Sequence, residues 1–224
     1  MTDQEREQIT RDMLQSMKEE KVQRFRRLNV FVRKGQIVFA GSSLMEQFPI
    51  YEFLLDFRLP YTIYNRGIGG LTTAQMQPIL RETVLDLEPK YLFLNIGTND
   101  LNVPEYSQEE MIARYEKIVL TIQNALPETQ IFLLAYYPSN PLAASSERMK
   151  HTLSLRTNAK VNEASEAVKS MAERLKVHFL NLNAGITDEN GNLKAEYTVE
   201  GMHMYANGYK QVLDALLPVL KSLD

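Results

Sequence analysis

Cysteine is absent from this 224-residue chain, which removes disulfides, thiolate nucleophiles and cysteine-ligated metal centres from consideration. A surplus of charge of one sign is missing too. The 25 basic residues against 28 acidic ones leave a formal charge of −3, too little to capture nucleic acid or an anionic membrane. Long apolar runs are lacking, since none approaches the ~18 residues that span a bilayer. The first residues, MTDQEREQIT, mix charges of both signs and lead into no apolar signal-peptide core. Together these absences predict a cytoplasmic protein with neither nucleic acid nor a stably bound membrane as partner.

What is present suits a folded domain. A hydrophobic share of 44% and a charged share of 24% supply a core and a solvated surface, and one α/β domain absorbs this length. Within residues 1–33, Leu14, Met17, Val22, Phe25, Leu28 and Val32 recur at helical spacing, which predicts a long amphipathic helix packed on its own domain. A dimer interface is the alternative use of that face. From Gly35 onward the pattern changes to short apolar runs: Ile37 to Ala40, Thr62 to Tyr64, Tyr91 to Ile96, Ile131 to Ala135 and Val177 to Leu180. Their nearly continuous apolar character fits strands covered on both faces. Helical stretches at about 44–57, 73–87, 108–125, 150–175 and 205–223 separate or follow them. Strand and helix alternating five times predict a doubly wound sheet of five parallel strands. Such sheets bind ligands beyond the carboxyl ends of their strands.

Polar clusters fall at those ends. After the first strand comes Gly41-Ser42-Ser43-Leu44, where a serine can expose its hydroxyl at a helix start; serine is also a common N-cap. After the second comes Asn65-Arg66-Gly67-Ile68-Gly69-Gly70, whose glycines allow positive φ and close approach to the main chain, or serve only a tight turn. Their spacing is not G-x-G-x-x-G, so dinucleotide binding is excluded. After the third comes Gly97-Thr98-Asn99-Asp100; Asn99 can donate into the cleft or act as a turn residue. Late in the chain stands Glu200-Gly201-Met202-His203. A carboxylate three residues ahead of a histidine can accept from Nδ1–H and leave Nε2 free to take a proton. His151 and His178 have no such neighbour.

In this order the motifs resemble the four blocks of the SGNH, or GDSL-like, hydrolases, and within them the platelet-activating-factor acetylhydrolase-like group. The resemblance runs from about residue 35 to the end of the chain. It implies a three-layer α/β/α flavodoxin-like domain over 35–224, with residues 1–34 as an added helix. It further implies a serine esterase with Ser43 as nucleophile and His203 as base. Gly70 and Asn99 match the oxyanion glycine and asparagine, and Glu200 stands where the family has the orienting aspartate. Ser42 replaces the aspartate of the G-D-S block, which is outside the triad. Glutamate at 200 is longer by one methylene than the family residue, so either the loop shifts or its carboxylate meets His203 from a different angle. No G-x-S-x-G occurs, which disfavours the α/β-hydrolase alternative.

The expected chemistry is two-step acyl transfer through an acyl-enzyme, with no metal or organic cofactor. The substrate is expected to be a small-molecule ester with a short acyl group such as acetyl, as the resemblance implies. The segment Tyr136 to Leu142 is expected to wall the cleft with aromatic and apolar groups, favouring a neutral ester. A homodimer is allowed by the resemblance. The competing readings are a weakened module that binds a sugar or lipid ester without turnover, and a flavodoxin-like nucleotide or FMN protein.

Overall fold

The computed structural model describes residues 1–223; Asp224, the last residue of the predicted 35–224 domain, lies outside them. Five parallel strands form the sheet: β1 (Ile37–Gly41), β2 (Ile63–Gly67), β3 (Tyr91–Asn95), β4 (Gln130–Leu134) and β5 (His178–Leu180), in the order β2-β1-β3-β4-β5. Strand β1 is therefore the switch point, with β2 on one side and β3 on the other, which is where the fold rule places a ligand.

Helices cover both faces: α1 (Asp3–Leu28), α2 (Ser43–Glu46), α3 (Ile50–Asp56), α4 (Thr73–Met76), α5 (Leu80–Thr83), α6 (Gln108–Ala125), α7 (Glu147–Leu155), α8 (Asn158–Leu175) and α9 (Ala206–Lys221). Alternation along the strands divides the core in two. Val38, Ala40, Leu92, Leu94, Ile131 and Leu133 point to the side of α1, α6 and α8. Ile37, Phe39, Phe93, Phe132 and Leu134 point to the side of α2, α3 and α9. This is the three-layer α/β/α arrangement.

Three expected helices break, each for a local reason. The stretch predicted over 44–57 divides into α2 and α3 because Pro49 supplies no N–H and constrains the residue before it. Pro78 lies in a 3-10 turn, Gln77–Ile79, within the stretch predicted over 73–87. The stretch expected at 150–175 is two helices: Thr157 accepts from the Lys160 N–H and caps the start of α8, while Ser146 caps α7 in the same way.

Helix α1 opens on a capping box between Thr2 and Glu5. Only its second half is docked through apolar side chains. Val22 and Phe25 are buried, whereas Leu14, Met17 and Leu28 are 45%, 55% and 50% exposed. Burial of the first two stabilises by roughly 1.5–3 kcal/mol each. Phe25 also lies under the buried Arg66 guanidinium, 4.8 Å from its ring centre, and Arg26 pairs with Glu82 at 2.5 Å. No helix among the described residues is long and apolar enough to cross a membrane.

Candidate active site

Ser43 is the first residue of α2, two positions past the end of β1, and is buried apart from a 9% exposed remainder. His203 arrives from a turn before α9. Its Nε2 lies 2.9 Å from Ser43 Oγ. On the other side of the ring, Nδ1 lies 2.5 Å from Glu200 Oε1, and the same oxygen accepts the His203 backbone N–H at 3.3 Å. A carboxylate accepts only, so Nδ1 carries the proton and Nε2 offers a lone pair to the Ser43 hydroxyl. Both contacts come from one carboxylate oxygen three residues back along the turn.

The turn itself is tied at several points. Gly201 sits at φ +102°, and a Cβ there would lie 2.6 Å from the Asn140 carbonyl oxygen, so glycine is required. Its amide donates to Thr198 Oγ1 at 2.7 Å, and its carbonyl accepts from the Asn140 N–H at 2.7 Å. Burial would raise the Glu200 carboxyl. Hydrogen bonds from the His203 ring and amide, with the ring's charge, outweigh it and hold the carboxyl below its ordinary value. Nearby, the Arg156 guanidinium is fully buried and pushed down to about 10 by that burial, with the charges of Tyr136 and Glu200 acting the other way.

Gly70 and Asn99 close the opposite side. Gly70 takes φ +67°, and neither its amide nor that of Ser43 donates to another group among the described residues. Asn99 Nδ2 donates to the Leu71 carbonyl at 3.0 Å, and its Oδ1 accepts from Asn102 at 3.2 Å. One N–H of the Asn99 amide is thereby used to hold the Gly70 loop, and the other is left over.

The family model of GDSL-like lipases and acylhydrolases matches residues 39–211. The chain belongs to that family. It is accordingly a carboxylic ester hydrolase. It is similar to the platelet-activating factor acetylhydrolase IB subunit alpha2 of Rattus norvegicus, 26% identical over 85% of this chain and 78% of the relative. It is also similar in structure to a protein of Streptococcus pneumoniae described as a platelet activating factor, with a TM-score of 0.86 and 29% identity over 98% of this chain and 100% of that one. An acetylxylan esterase from Geobacillus stearothermophilus shares the fold, with a TM-score of 0.65 and 18% identity over 86% of this chain and 97% of that one.

Within this GDSL-like member, hydrogen bonds join Ser43, His203 and Glu200, while Gly70 and Asn99 follow β2 and β3, the two strands that flank β1. One expectation is corrected. Tyr136 and Tyr137 do not wall the cleft; each is 1% exposed, and the two rings enter the cores on opposite faces of the sheet. They follow β4 directly, and continuing its inward alternation buries them. The case for a neutral ester built on those rings therefore falls away.

Two residues were not singled out from the sequence. Asp100 is buried and accepts from the Thr73 N–H at 3.0 Å and the Thr73 hydroxyl at 2.5 Å. It thus joins the Asn99 loop to the start of α4, just beyond Gly70, and Arg114 pairs with it at 3.5 Å. Its adjacency to Asn99 was the available signal. The second is Lys18 of α1, whose Nζ reaches the Gly70 carbonyl; nothing local in the sequence links positions so far apart.

Proposed function

We propose that the protein is a serine esterase that removes short acyl groups, acetyl foremost, from a small-molecule ester. The observation that carries this reading is the hydrogen-bonded chain from Glu200 Oε1 through His203 to Ser43 Oγ, at 2.5 and 2.9 Å. In the first step His203 Nε2 takes the hydroxyl proton as Ser43 Oγ bonds to the ester carbonyl carbon. The carbonyl oxygen becomes an oxyanion, which accepts from the Ser43 and Gly70 amides and the remaining N–H of Asn99. Collapse breaks the ester bond, and the imidazolium returns its proton to the departing alkoxide. Water then attacks the acyl-enzyme by the same route and frees the acid. Glu200 keeps the productive tautomer and offsets the charge of the imidazolium.

Support for a short acyl group comes from the relatives, described as an acetylhydrolase subunit and an acetylxylan esterase. The test is hydrolysis of p-nitrophenyl acetate, butyrate and octanoate by wild type and Ser43→Ala side by side. Turnover that falls from acetate to octanoate and disappears in the variant supports the reading. Turnover that persists in Ser43→Ala removes it, and a preference for octanoate removes the short-chain part alone.

A further inference from the structure

Between Leu14 and Lys21, α1 runs alongside the loop that carries Gly69 and Gly70. The Lys18 ammonium donates to the Gly70 carbonyl at 2.7 Å and to Gln75 Oε1 at 2.8 Å. That same Gln75 oxygen accepts the Thr72 N–H at 3.3 Å and completes the capping box of α4. One turn further along α1, Lys21 forms an ion pair with Glu46. Glu46 closes the short helix begun by Ser43, and its Oε2 lies 2.7 Å from where a Cβ on Gly69 would stand. Two lysines of one helix thus clasp the nucleophile's helix and the glycine loop together.

The arrangement answers a difficulty built into Gly70. Its left-handed backbone needs glycine, yet glycine leaves φ free to wander. Rotation of the peptide that presents the Gly70 N–H requires a change at that φ. With the Gly70 carbonyl held by Lys18 and the Leu71 carbonyl held by Asn99 at 3.0 Å, a drift of that φ would break a hydrogen bond unless the ψ of Gly69 compensated it. Packing does not give the same restraint. Lys18 divides two cavities of ≈ 210 and ≈ 160 Å³, one reaching Leu71 and Ile79, the other Ile68 and Gly69. Polar contacts therefore hold this part of α1 in place. Burial lowers the Lys18 pKa.

We propose that Lys18 is a positioning residue for hydrolysis, fixing the Gly70 peptide so that its N–H faces the acyl oxygen. The N-terminal helix, which lies outside the family-matched residues 39–211, then becomes a working part of the active site. The proposal rests on the reading of Gly70 as an oxyanion donor. Its test uses the full chain: Lys18→Ala on p-nitrophenyl acetate beside wild type, Ser43→Ala and Asn99→Ala. Expected is a fall in kcat of about tenfold, short of the 10²–10³ that outright removal of a donor costs, with KM within about threefold. Millimolar propylammonium, which replaces the deleted side-chain end, should restore much of the loss, and propanol should not. An unchanged kcat, a change confined to KM, or a loss that propylammonium leaves untouched overturns the role. If Lys18→Ala fails to fold by circular dichroism, Lys18→Met fills the same space and its kcat is decisive. Should Ser43→Ala or Asn99→Ala keep wild-type turnover, the reading of the cleft itself fails. Should both lose it while Lys18→Ala does not, only the role of Lys18 falls.

Discussion

Ser43, Gly70 and Asn99 stand just past the ends of β1, β2 and β3, three neighbours in one ladder whose register runs from Ile37↔Ile63 and Ile37↔Tyr91 to Gly41↔Gly67 and Gly41↔Asn95. Glu200 and His203 stand elsewhere, on a turn reached long after β5 ends at Leu180. The first group is placed by main-chain hydrogen bonds of the sheet and by a core that leaves Phe39, Ala40, Phe93 and Leu94 with no exposure. The turn is placed by its own short contacts: Thr198 Oγ1 with Gly201, the Val199 amide with the His203 carbonyl at 2.8 Å, and Asn140 with Gly201. The sheet places the nucleophile and its donors, whereas the base that reaches Ser43 lies outside it. A separately built turn supplies that base, and its precision depends on a handful of hydrogen bonds.

Glu200 is the point at which the turn is most vulnerable. Glu200→Gln should lower kcat on the order of 10⁴-fold, because the amide can hold His203 in the wrong tautomer. A loss below tenfold in steady-state assays would show that the turn orients His203 without the carboxylate. On the sheet side, Asn99→Ala should cost 10²–10³ in kcat, about 2.7–4 kcal/mol, with a melting temperature lowered by the loss of its hydrogen bonds to Leu71 and Asn102. Third comes Gly201→Ala. The strained φ and the clash with the Asn140 carbonyl should cost about 1–3 kcal/mol of stability, seen as a melting temperature lower by several degrees. Its kcat should fall too, since His203 moves with the turn.

The smallest effect is one of pH. The Glu200 carboxyl is held below its ordinary value, so its pairing stabilises the fold above the unfolded pKa of about 4.3. That contribution is lost as pH falls through the lower folded value. Melting curves of wild type and Glu200→Gln should therefore differ at pH 7 and converge only as pH falls through the lowered pKa of the folded carboxyl. A gap that stays constant to the lowest pH would assign the stabilisation to something other than the ionised carboxylate.

The same division marks what was legible from residues alone. The five strands were visible because burial on both faces makes their runs nearly continuous in apolar residues, as in Tyr91 to Ile96. The polar clusters after β1, β2 and β3 could be located from the fold rule alone. The pair Glu200 and His203 was visible because both lie within one turn. Contacts between distant segments were not. Lys18 meets Gly70 across 52 positions, and no periodicity encodes that meeting. Tyr136 and Tyr137 misled for the opposite reason: aromatic residues after a strand can line a cleft or extend the core, and only packing decides. The exposed Leu14 and Met17 shared the helical spacing of Val22 and Phe25, and spacing alone does not say how far along a helix the domain reaches.

The most direct test of the account is covalent labelling of the nucleophile. Wild type, Ser43→Ala and His203→Ala are treated with a small fluorophosphonate and followed by intact mass and peptide mapping. The account predicts one adduct on Ser43 in the wild type, none in Ser43→Ala, and labelling slowed by at least about 10³-fold in His203→Ala. An adduct mapped to another residue, or equal labelling rates with and without His203, would contradict it.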